Sequence, residues 1–137
     1  MTLTEFLLAR LAEDEAAALA ANLRPGDPDW QAFAVGTGAP RRFTVRSRYC
    51  HRVVARTQDI SSVDGWATPP TEDPTGVLDG AAVAAHVARW DPARVLAECT
   101  AWRIAVGAGD DAVLRALAAV YSDHPDYRPE WSPGIPA

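Results

Sequence analysis

The chain has 137 residues, 48% of them hydrophobic, a formal net charge of −5 and two cysteines. That length suits one domain able to bury well over half of its unfolded surface. Its apolar runs fall short of the ~20 residues of a membrane span, and two cysteines without CxxC spacing build neither a disulfide framework nor a zinc knuckle. The expected fold class is α+β: a single domain over residues 1–137, a helical domain of four-helix type with a small inserted antiparallel β-ribbon or sheet. Met1-Thr2-Leu3-Thr4-Glu5 lacks the basic start and apolar stretch of a secretory signal, so the expected location is cytoplasmic.

The first predicted helix covers residues 2–22. Thr2-x-x-Glu5 has capping-box form, and Leu8, Leu11, Glu15, Ala18 and Leu19 recur at helical spacing as a buried stripe. Glu15 then sits among apolar neighbours, and a buried carboxylate needs a partner such as Arg89, Arg94 or Arg103. Pro25-Gly26 and Pro28 impose a turn. A β-ribbon follows over about 30–64: a strand from Trp30 to Val35, then a stretch in which Phe43, Val45, Ser47 and Tyr49 alternate with Thr44, Arg46 and Arg48. An unbroken strand from 42 to 56 would be about 50 Å long, so a turn or bulge is expected near Cys50 and His51, with 52–56 as the next strand. Residues 65–78 read as a proline-rich loop.

Helices are predicted at about 79–90, 91–106 and 110–122. Asp79 caps the first. Asp91 and Pro92 open the second as N-cap and first helical residue, and Trp90 and Val95 have the spacing of a hydrophobic staple. Gly107 and Gly109 are expected to end it, with Asp110 or Asp111 starting the last helix, whose apolar face is Val113, Leu114, Leu117, Val120 and Tyr121. In the tail, 123–137, Tyr127 and Trp131 suit anchors docked on the helices. Both cysteines read as small core residues.

Three segments, FLLARLAEDEA at 6–16, AAHVARWDPARVLAE at 84–98 and LRALAAVYSDHPDYRPEW at 114–131, resemble an uncharacterised family of small actinobacterial and actinophage proteins, domain of unknown function 6221. The resemblance implies an actinobacterial or phage origin and supplies no activity. Many relatives have a Glu-Ala-Lys-Arg-like run where this chain has Thr100-Ala101-Trp102-Arg103. A cysteine-rich insert common in the family is replaced here by Gly107-Ala108-Gly109-Asp110-Asp111, which removes any metal site built from it.

All thirteen basic residues are arginine, and six of them lie between Arg41 and Arg56 without an intervening acid. That segment carries +6, while the remainder sets seven arginines against eighteen acids, net −11. A local anion-attracting patch on an acidic body is the result. Arg42, Arg46, Arg48 and Arg52 are the candidate anion-binding residues, with Arg46 and Arg48 expected to share a strand face and to bind phosphate or carboxylate through guanidinium forks. The competing reading is a solvated edge strand whose arginines pair with Glu13, Asp14 or Glu72. An alternative function, a metal-dependent hydrolase, would draw on Glu13, Asp14, His86 and His124, although no HExxH, HxH or paired CxxC fixes two ligands on one element. The sequence therefore favours a non-enzymatic accessory protein without a cofactor, whose partner is an anionic small molecule, such as a nucleotide, or another protein. Nucleic acid and membranes are disfavoured as partners, and a homo-oligomer is compatible with the ribbon.

Overall fold

The computed structural model describes residues 1–22, 28–61 and 77–134. The protein is α+β, with four α-helices and a three-stranded antiparallel sheet. It divides into two compact units, residues 1–21 with 92–137 and residues 22–91. The expected turn at Pro25-Gly26 and most of the expected loop at 65–78 lie outside the described residues. No helix among the described residues is long and apolar enough to cross a membrane.

The helical unit contains α1 (Leu3–Ala21), α3 (Pro92–Ala108), α4 (Asp111–Ala119) and a final 3-10 turn, Pro129–Trp131. The capping box forms at the start of α1: Thr2 N–H donates to Glu5 Oε2 at 2.7 Å, and Glu5 N–H donates to Thr2 Oγ1 at 3.2 Å. The buried face of α1 is Phe6, Leu7, Arg10, Leu11 and Ala18. This differs from the expected stripe, because Leu8 and Leu19 are 38% and 59% exposed. Five apolar residues crowd the first three turns, so local periodicity leaves the inward direction undecided; the aromatic tail decides it by packing on Phe6. The Phe6 ring centroid lies 5.0 Å from that of Trp131, 6.2 Å from Tyr127 and 6.3 Å from Tyr121. Cys99 and Val106 of α3, and Leu114 and Ala118 of α4, complete this core. Burial pushes the Cys99 thiol pKa up, which suits an inert core residue.

Helix α3 starts at Pro92, directly after Asp91, whose Oδ2 accepts the Trp30 N–H at 3.3 Å. It continues through Gly107 to Ala108. Gly109 alone ends it, at φ +74°, a conformation that costs glycine least. Asp110 then caps α4 by accepting the Val113 N–H at 3.0 Å. Val113 and Val120, expected on the apolar face, are exposed, while Leu114 and Ala118 are buried.

Glu15 finds one of its expected partners within this unit. Arg103 Nε and Nη2 donate to its two carboxylate oxygens at 2.8 and 2.7 Å. This bidentate bond holds the Glu15 pKa below its ordinary range. A depressed carboxylate pKa stabilises the fold above the unfolded-state value and loses that contribution as pH falls through the folded-state value. Arg103→Gln is therefore expected to raise the Glu15 titration midpoint back toward the ordinary carboxylate range and to flatten the acid limb of the stability profile. An unchanged NMR titration of Glu15 would contradict the assignment.

The second unit holds β1 (Trp30–Val35), β2 (Arg42–Ser47) and β3 (Val53–Gln58) in the order β1-β2-β3, together with α2 (Gly80–Arg89). A short ladder joins β4 (Ile60–Ser61) to β5 (Val77–Leu78). The expected break falls at 48–52, where His51 takes φ 51°, and a second irregularity lies inside the sheet. Val45 pairs with Ala55 but Arg46 pairs with Val53, so Val54 is an extra residue bulged out of β3. Asp79 caps α2 by accepting the Ala81 and Ala82 N–H groups. Gly80 ties the helix to the sheet: its N–H donates to Asp59 Oδ1 at 2.9 Å, and its carbonyl accepts the Thr57 hydroxyl at 2.6 Å.

Candidate functional site

Pairing register sorts the sheet residues onto two faces. Val45 is opposite Ala32 and Ala55, and Phe43 is opposite Ala34 and Thr57; Thr57 in turn bonds to α2, so this face meets the helix. Strand alternation then puts Gln31, Phe33, Val35, Arg42, Thr44, Arg46, Arg56 and Gln58 on the other face. Among the described residues most of this second face is exposed. Val35 and Phe33 are exposed, with Phe33 at 40%, as are Arg42, Arg56 and Gln58. A concavity of about 300 Å³ lies at one end of the sheet, lined by Val35, Arg42, Thr44, Arg56 and Gln58 of this face and by Phe43 and Thr57, whose side chains alternate to the other.

Thr44 is the unusual member of this set. It is only 7% exposed, and its Oγ1 is fully buried without a hydrogen-bond partner. A buried hydroxyl left unpaired costs about 1–3 kcal/mol. Across the strand pair, Arg56 lies directly opposite Thr44, and Arg42 lies two residues along the same strand. Among the described residues neither Arg42 nor Arg56 has a carboxylate within salt-bridge distance. Two guanidinium groups without a carboxylate partner among the described residues thus flank Thr44, a combination that suits an oxyanion with several acceptor oxygens.

The other arginines of the +6 segment are placed differently. Arg41 is committed to Asp59, donating from Nε to Oδ2 at 2.6 Å and from Nη2 to Oδ1 at 3.3 Å. That pairing, with the Gly80 N–H, holds the Asp59 pKa below its ordinary range. Arg46 lies on the exposed face with its guanidinium over the Phe33 ring, 6.0 Å from the centroid, and its Nε is buried without a partner. The expected pairing of Arg46 and Arg48 on one strand face is not formed, because β2 ends at Ser47. The Arg48 N–H donates to the Asp29 carbonyl at 2.9 Å, which draws residue 48 into the turn; its guanidinium lies 3.9 Å from Asp29 and over the Tyr49 ring. Arg52 follows the turn and closes it through its backbone, its N–H donating to Ser47 Oγ and its carbonyl accepting the Ser47 N–H. Neither Arg48 nor Arg52 lines the concavity. Arg56, Phe33 and Val35 were not among the candidates; the alternation of Gln31, Phe33 and Val35 against Trp30, Ala32 and Ala34 was the available signal.

The alternative metal candidates have other neighbours. Glu13 accepts from Arg10 Nη2 at 2.7 Å, and Asp14 accepts the Tyr121 hydroxyl at 2.6 Å. Burial, then this bond to Asp14, raises the Tyr121 pKa. His124 Nδ1 accepts the Asp126 N–H at 3.1 Å, and His86 packs its ring against Trp90. Glu13, Asp14 and His124 belong to the helical unit and His86 to the sheet-bearing unit. Among the described residues no three His, Cys, Asp or Glu side chains are grouped to hold a metal ion. Glu13 and Asp14 are thus engaged within their own unit, and Glu72 lies outside the described residues.

The fold and site define a small α+β protein with arginines on one face of its three-stranded sheet. Residues 1–133 match the family of unknown function DUF6221, and the chain belongs to that family. No curated protein and no solved structure matches it.

Proposed function

We propose that this protein works by binding an anionic small molecule bearing a phosphate group on the exposed face of the β1–β2–β3 sheet. Arg42 and Arg56 donate from either side of Thr44, whose residue forms the floor. One observation carries the reading: two arginines that have no acidic partner among the described residues line one concavity with Thr44 between them. Their two planar forks would bind the phosphate oxygens and neutralise the charge. The negative remainder of the chain confines attraction to this patch and disfavours a polyanion. A cytoplasmic setting and an actinobacterial or actinophage host belong to the same proposal.

Calorimetry with inorganic pyrophosphate at low ionic strength tests it. The wild-type protein is expected to bind more tightly than the millimolar range, and more weakly as salt is added. Arg42→Ala combined with Arg56→Ala is expected to reduce affinity at least about tenfold, the loss of one charge-assisted contact, without moving the unfolding midpoint. Arg52→Ala is the control and should bind like wild type. A wild-type protein that binds no pyrophosphate, or a double variant that binds it undiminished, would overturn the proposal.

A further inference from the structure

We infer that the anion belongs to a mononucleotide whose base stacks on Phe33; this rests on the phosphate site proposed above and names its ligand class. The apolar half of the exposed face carries the inference. Phe33 is directly opposite Thr44 in the β1–β2 ladder, and Val35 is directly opposite Arg42. Directly paired side chains stand about 5 Å apart at Cβ, so an aromatic ring and an aliphatic wall lie beside the phosphate position on one surface. Inorganic phosphate would use neither.

Phe33 is also held for such a role. The Arg46 guanidinium sits over its ring, with an Nε that has no hydrogen-bond partner, while 40% of the residue remains exposed. A ring steadied by a cation and still open to solvent is a stacking platform for a planar, electron-rich base. Phe33 lies outside the lining of the concavity of about 300 Å³ and adjoins it through its strand partner Thr44, and it is the sole aromatic residue on this face of the described strands. One aromatic platform beside one phosphate cradle fits a single nucleotide rather than a strand of nucleic acid, which needs successive platforms.

The test compares AMP and CMP with ribose 5-phosphate, which carries the same phosphomonoester without a base. At least one nucleotide is expected to bind about tenfold more tightly than ribose 5-phosphate, the scale of one base–aromatic stack. Phe33→Ala and Phe33→Leu should each remove that difference and leave ribose 5-phosphate affinity unchanged. Using both variants separates loss of stacking from a local disturbance of β1. Equal binding of the nucleotides and ribose 5-phosphate, or persistence of the difference in both Phe33 variants, would overturn the nucleotide assignment while leaving the phosphate site standing. Binding of an oligonucleotide by a protein that ignores AMP and CMP would also overturn it. Failure of all these compounds and of pyrophosphate would remove both.

Discussion

Phe6→Ala is expected to destabilise the helical unit by about 3–5 kcal/mol, the cost of truncating a fully buried aromatic residue. The size of the effect follows from its position. Phe6 has no exposed surface, and its ring meets Tyr121, His124, Tyr127 and Trp131, so truncation leaves a void bordered by α1, α4 and the tail. Aromatic pairs add about 0.5–1.5 kcal/mol beyond simple burial, and those contacts disappear together. A domain with a total stability of about 5–15 kcal/mol does not absorb that loss easily. Phe6→Leu, which refills most of the space, should cost distinctly less. Urea unfolding monitored by tryptophan fluorescence checks both variants, and equal midpoints for the wild type and Phe6→Ala would show that the tail does not close over α1.

Gly80→Ala is expected to destabilise the sheet-bearing unit by about 3 kcal/mol, through overpacking and lost hydrogen bonds. Helix propensity predicts the reverse, since alanine is favoured over glycine within a helix by about 1 kcal/mol. Geometry settles the sign. A Cβ on residue 80 would lie 2.5 Å from the Gln58 carbonyl carbon and 2.8 Å from both the Gln58 oxygen and the Asp59 nitrogen, all backbone atoms that cannot swing aside. The helix would have to retreat from β3, stretching the Thr57 hydroxyl bond to the Gly80 carbonyl and the Gly80 N–H bond to Asp59. Amide hydrogen exchange along β2 and β3 measures the loss locally. Unchanged or slower exchange in the variant would mean that the helix does not approach β3 this closely.

Much of the secondary structure was legible because it is signalled locally. Thr2 with Glu5, Asp79 and Asp110 satisfy free N–H groups within one turn of chain, and the alternation from Arg42 to Ser47 marks a strand by itself. The need of Glu15 for an arginine was also legible, since the cost of an unpaired carboxylate among apolar neighbours does not depend on the fold. Features set by distant contacts were not. The inward face of α1 depends on an aromatic tail more than a hundred residues away, and the close approach at Gly80 depends on where β3 ends. Gly107 and Gly109 look alike in sequence, yet only Gly109 takes a positive φ.

The candidate site shows the same division. Six arginines in sixteen residues are visible in composition, but which of them face a common space depends on register. The bond from the Arg48 N–H to the Asp29 carbonyl and the bulge at Val54 set that register, and neither has a sequence signature. The proposed site keeps Arg42 of the four expected arginines, adds Arg56 across Thr44 in place of Arg48 and Arg52, and brings in Phe33 and Val35 from a strand that carries no charge.

The central claim, that Arg42, Thr44 and Arg56 form a phosphate site, is tested most directly by following backbone amide resonances during a pyrophosphate titration at low ionic strength. The account predicts saturable shifts concentrated at residues 42–46 and 56–58, abolished in the protein carrying both Arg42→Ala and Arg56→Ala. Shifts centred instead on the turn at 48–52, or none that saturate, would contradict it.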